Sequence, residues 1–128
     1  MTDGHIDGLL AFAEPGTVLL HTTNDRQDRN YRICQDAKRR LKAATDARGR
    51  KLEIIELPLD AELSHMNFYI ANGCVLVPTT RNRRDNERPL GILREVFDDY
   101  DVIGIDSEVL GEGGGGIHCI TQQVPATS

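Results

Sequence analysis

The order of β-rich and helical segments constrains this chain most. Two β-rich stretches, one helical stretch and a third β-rich stretch occur before residue 60, and the same order occurs again after it. Ile6 to Ala13 is apolar apart from Asp7 and Gly8. Glu14-Pro15-Gly16 then breaks the run and TVLLHTT, Thr17 to Thr23, follows, which predicts a β-hairpin. Between Asn24 and Arg48 the spacing turns helical, with Tyr31, Cys34, Ala37, Leu41 and Ala44 on one stripe and Gly49 as the terminating residue. LEIIEL, Leu52 to Leu57, alternates and stops at Pro58, giving a third strand.

The second pass begins with NFYIA, Asn67 to Ala71. An Asn72-Gly73 turn and CVLVPT, Cys74 to Thr79, complete a second hairpin. The polar run RNRRDNER leads to Pro89, which suits the first position of a helix, and Leu90, Leu93, Val96 and Phe97 form that helix's apolar face. DVIGIDS, Asp101 to Ser107, is the closing strand. Glu108 to Gly116 reads as a loop, and Ile117 to Val124 as a final strand. The predicted class is therefore α/β, with ββαβ occurring twice plus one last strand. At 128 residues, 39% of them hydrophobic, the chain can bury one modest core. A single domain is expected, its first module at 1–60 and its second at 65–128.

Charge and cysteine usage narrow the function. The formal net charge is -5, with no basic block and no aromatic-basic interleaving. That argues against a nucleic-acid surface and favours a cationic small molecule. No segment approaches the roughly 20 apolar residues of a membrane span, and MTDGHIDG lacks a basic region followed by an apolar stretch, so a soluble protein is expected. Cys34, Cys74 and Cys119 are odd in number and widely spaced. They suggest neither a disulfide framework nor a zinc site, and point to a reducing cytoplasm.

Two stretches concentrate residues that can do chemistry. Gly111 to Gly116 formally satisfies GxGxxG, but a dinucleotide site needs a helix there, whereas Ile117, Ile120, Thr121 and Val124 favour β structure. A phosphate loop is excluded because no Gly-Lys-Ser/Thr follows. The glycines instead permit a close approach of main chain and thiol to a flat ligand, or form a flexible loop. Cys119 can accordingly be a nucleophile, a buried thiol or half of a metal site. At the other end, strand alternation in DGHIDG would put His5 and Asp7 on one face and turn Ile6 into the core. Imidazole is suited to acid and base work near neutrality, and a carboxylate can orient an amidine through paired hydrogen bonds. A metal site from His5, Asp7, His118 and Cys119 is disfavoured, because adjacent His118 and Cys119 would point to opposite faces of a strand.

Taken in order and spacing, TDGHIDG, NFYIANGCVLVP and GGGGIHCITQQVP resemble the agmatine deiminase and bacterial-type peptidylarginine deiminase family. The likeness runs along nearly the whole chain, which looks like the C-terminal portion of those longer proteins. It implies a partial pentein, or α/β-propeller, whose complete form has five ββαβ modules around a pseudo-fivefold axis. It also implies that Cys119 is the nucleophile, that His5 protonates departing ammonia and then activates water, and that Asp7 holds the substrate guanidinium. No cofactor and no metal are implied.

The implied reaction is hydrolysis of a guanidine, with agmatine as the expected substrate and a place in polyamine biosynthesis. Gly116 lies in the substrate-binding stretch, at a position where many agmatine deiminases carry Asn. The family's glutamate near the catalytic histidine and its further guanidinium-binding aspartate come from N-terminal modules that have no counterpart here. Two modules of a ring would also leave sheet edges and an apolar face uncovered. Homo-oligomerisation, or complementation by the missing modules, is therefore expected. The alternatives are a catalytically inactive fragment that acts as a structural or binding module, and an amidinotransferase or dimethylarginine-type hydrolase.

Overall fold

The computed structural model describes residues 4–59 and 63–125. Strands β1 (Leu10–Glu14) and β2 (Thr17–Thr22) form the expected hairpin, antiparallel, with Gly16 at φ 97° completing the turn. That backbone angle favours glycine. Helix α1 (Tyr31–Ala43) then crosses over to β3 (Glu53–Pro58), which pairs parallel to β2. The second hairpin joins β4 (Tyr69–Ala71) to β5 (Cys74–Thr79) through Asn72-Gly73, with Gly73 at φ 76°. Helix α2 (Arg83–Val96) returns the chain to β6 (Asp101–Asp106), parallel to β5. The expected double ββαβ order is what the chain adopts, as two three-stranded sheets, β1-β2-β3 and β4-β5-β6.

Several boundaries differ from the sequence reading, each for a local reason. α1 starts at Tyr31 rather than near Asn24, because Asp25 and Asp28 accept hydrogen bonds from the backbone N–H groups of Gln27 and Asn30, at 2.8 and 2.7 Å. Such turns compete with helix for the same donors. Gly49 does not end α1. It belongs to a turn in which Asp46 Oδ1 accepts from the N–H groups of Arg48 and Arg50, both at 2.9 Å.

α2 starts six residues before Pro89, so the proline lies inside the helix and not at its first position. Asn82 caps it, its side chain accepting from Arg84 N–H at 3.3 Å. Buried Asn86 braces the first turns: its Nδ2 donates to the carbonyls of Thr80 and Asn82, and its Oδ1 accepts from Thr80 N–H at 3.0 Å. These bonds hold in helical form the polar run that the sequence places ahead of the helix.

The shared core lies between the sheets. Leu19 and Leu57 of the first sheet meet Val75 and Val77 of the second and Phe68 just before β4, with Leu93 and Phe97 from α2 and its end. Phe68 and Phe97 meet edge to face, ring centroids 5.5 Å apart. α2 packs on both β3 and β6, and α1 packs on β2 and β3. The layers therefore run α1, first sheet, α2, second sheet. Gly104 of β6 lies so close to β5 that a Cβ there would stand 2.8 Å from Thr79 Cγ2. No helix among the described residues is long and apolar enough to cross a membrane.

Candidate active site

Asp7 does not lie on a strand. Residues Ile6–Gly8 form a 3₁₀ turn and β1 begins only at Leu10, so strand alternation does not govern His5 and Asp7. Ile6, expected in the core, is 61% exposed. The turn is fixed from two sides: Gly8 C=O faces His21 Nδ1 on buried β2 at 3.1 Å and accepts from Ser64 Oγ at 3.2 Å. His5 precedes the turn, is exposed, and makes no side-chain hydrogen bond among the described residues.

The expected final strand is likewise absent: His118–Ile120 is a second 3₁₀ turn, and no strand follows β6 among the described residues. β-branched composition is outweighed here by local bonds. Thr121 Oγ1 donates to Ile117 C=O at 2.9 Å and to His118 C=O at 3.1 Å, while the Ile117 side chain is buried. The segment expected as a loop also contains a short helix, α3 (Glu108–Glu112).

The two turns, 111 residues apart, meet at the Asp7 carboxylate. His118 Nδ1 lies 3.0 Å from Asp7 Oδ2, and Cys119 Sγ donates to the same oxygen at 3.4 Å. Neighbours expected on opposite faces of a strand thus address one atom, because the backbone between them turns. A third donor to Oδ2 is Asn67 Nδ2, at 3.0 Å. Among the described residues Oδ1 of Asp7 takes no hydrogen bond. Partial burial alone would push the Asp7 carboxyl up. Hydrogen bonds from His118, Cys119 and Asn67, with the charge of His118, outweigh that and hold it below the ordinary carboxylate value. The donors converge on an oxygen rather than around a central space, and no group of side chains suited to a metal ion occurs among the described residues.

The glycines before Cys119 have steric reasons. A Cβ on Gly115 would stand 3.1 Å from Cys119 Cβ, and one on Gly116 would stand 2.4 Å from Asn67 Oδ1. Gly116 is buried, and Cys119 is exposed. The reading of Cys119 as a buried thiol is therefore set aside; Cys34 is the buried one, and burial pushes its thiol up. A groove of ≈ 600 Å³, lined by Thr23, Asp25, Asp28, Glu56 and Arg88 among others, lies apart from these residues.

Sequence reasoning missed Asn67 and undervalued His118. Asn67 reads as the start of a strand, but β4 begins two residues later, and a polar residue opening an otherwise apolar run was the available signal.

Residues 1–125 match the Porphyromonas-type peptidyl-arginine deiminase family, and the chain belongs to that family. The agmatine deiminase of Stutzerimonas stutzeri is 39% identical over 98% of this chain and 41% of its own length. That of Pseudomonas aeruginosa is 36% identical over the same shares. The solved agmatine deiminase of Enterococcus faecalis superposes with a TM-score of 0.86 at 31% identity, covering 96% of this chain and 40% of that one. The two ββαβ units are thus part of a pentein fold, and the chain spans about two fifths of the length of the relatives it matches.

Proposed function

We propose that this chain carries the nucleophile-bearing part of a guanidine hydrolase, with agmatine as substrate. The observation that supports this best is the meeting of Asp7 and exposed Cys119, from opposite ends of the sequence, in one hydrogen-bonded cluster. The agmatine deiminase names of the relatives supply the substrate class.

In this reading the Cys119 thiolate attacks the central guanidinium carbon, and the tetrahedral adduct collapses with loss of ammonia, protonated by His5. Water, deprotonated by His5, then attacks the S-alkylthiouronium carbon and expels the thiolate, leaving a ureido product. Asp7 holds the guanidinium, its Oδ1, which takes no hydrogen bond among the described residues, accepting one N–H and its Oδ2 accepting another where the Cys119 thiol has given up its proton. Gly116, buried against Asn67, backs the binding surface. No cofactor takes part.

One domain with two modules, 1–60 and 65–128, is the proposed unit, working with complementing modules or with further copies of itself. A second reading, a non-catalytic binding module, is favoured by the two-fifths coverage of the relatives. Ureido-product formation from agmatine by the purified chain, beside Cys119→Ala, decides between them. Turnover lost in the variant supports the hydrolase. No turnover, alone or with the remaining modules of a relative supplied in trans, leaves the binding module.

A further inference from the structure

Among the described residues, Asn67 is the one that bonds to Asp7, His118 and Cys119 alike. Its Nδ2 donates to Asp7 Oδ2 at 3.0 Å and to Cys119 Sγ at 3.3 Å. Its Oδ1 accepts from Cys119 N–H at 3.4 Å, and its C=O accepts from His118 N–H at 3.1 Å. Its own N–H is tied to Ser64 C=O at 3.1 Å, and the residue is 6% exposed. Because Gly116 lacks a side chain, the carboxamide occupies space that any Cβ there would fill.

From this geometry we infer that Asn67 is the positioning residue that holds the Cys119 thiol and the Asp7 carboxylate at their working separation. The inference rests on the reading of Cys119 as nucleophile. A carboxamide suits the task because its two N–H groups diverge, one to the carboxylate and one to sulfur, while its oxygen fixes the Cys119 backbone. When the Cys119 proton leaves, the Sγ–H bond to Asp7 is lost and two negative charges face each other. The Asn67 N–H is then the donor that remains between them. Aspartate at this position would add a third charge, and alanine would leave none of the side-chain bonds.

The test is site-resolved alkylation of the purified 128-residue chain by iodoacetamide across pH, since the thiolate is the reacting form. In Asn67→Ala the pH of half-limiting Cys119 labelling moves up by about one unit, which is about a tenfold slower reaction at a fixed pH below it. In Asn67→Asp it moves further. Buried Cys34 stays protected in folded variants and reports on the fold in the same sample. Profiles that superpose on the parent with Cys34 protected overturn the proposal. Should the Asn67 variants label at Cys34, Gly116→Ala decides, since it keeps Asn67 and displaces its side chain. An upward shift there supports the role and an unmoved profile overturns it. The readout needs no turnover, so a chain inactive on agmatine counts against the proposed function alone.

Discussion

β2 and β5 hold the same place in their two sheets, each central, antiparallel to the strand before and parallel to the strand after, yet they are covered differently. β2 is buried at every position, whereas β5 alternates between half-buried and buried along its first four residues. Strand order and direction cannot explain this, because both sheets share them. Layering does. The first sheet has α1 on one face and α2 on the other, while the second has α2 on the face of Val75, Val77 and Val102 only. The opposite face, by alternation, carries Cys74, Leu76, Ile103 and Ile105, and the last two are 45% and 39% exposed. A ββαβ unit therefore reaches full burial only when the next unit's helix lies on it. The complementing modules proposed above would supply that layer.

The sharpest way to break this view is to weaken the helix shared by both sheets. Leu93→Ala, at a fully buried position of α2, should cost about 2–5 kcal/mol in urea unfolding. Leu41→Ala, half-buried on α1, should cost clearly less. Equal losses would mean that α2 is no more central than α1. Next in size is Gly104→Ala, where the new Cβ meets Thr79 Cγ2; about 1–3 kcal/mol is expected. Thr79→Ser removes that methyl group, so the double variant should recover most of the loss. Recovery absent from the cycle would place the cost elsewhere. Smaller again is Ile103→Ser on the open face, expected to change the chain's own stability by less than about 0.5 kcal/mol. A loss near that of Leu93→Ala would show that the face is covered within the chain itself.

The fold was largely legible because its signals are local. Asn72-Gly73 and Glu14-Pro15-Gly16 are turns by their chemistry, and the stripe holding Cys34 has helical period. What failed was decided by particular side-chain and main-chain bonds that composition and periodicity do not encode. Ile117 to Val124 has strand composition, yet the chain turns there because Thr121 returns to Ile117 and His118 bonds to Asn67. The polar run before Pro89 is helix because Asn86 is braced against Thr80. Cys119, His5 and Asp7 were singled out from the sequence, and the structure joins Cys119 to Asp7 while leaving His5 without a side-chain bond among the described residues. Asn67 escaped notice because its partners lie 60 and 52 residues away, beyond any periodicity.

A pH-dependent effect probes the seam between the units, since Asp7 belongs to the first and its three donors to the second. The Asp7 carboxyl is held below its ordinary value in the folded chain. Its contribution is therefore fully present above the unfolded value, about pH 4, and is lost as pH falls through the depressed folded one. The carboxylate is 21% exposed, which limits the gain to about 1 kcal/mol. Unfolding of the parent chain and of Asp7→Asn should accordingly differ at pH 6 and converge toward pH 2. A difference that stays constant across this range would show that the carboxylate's charge does not join the two units. The seam would then rest on the shared core around Leu93 alone.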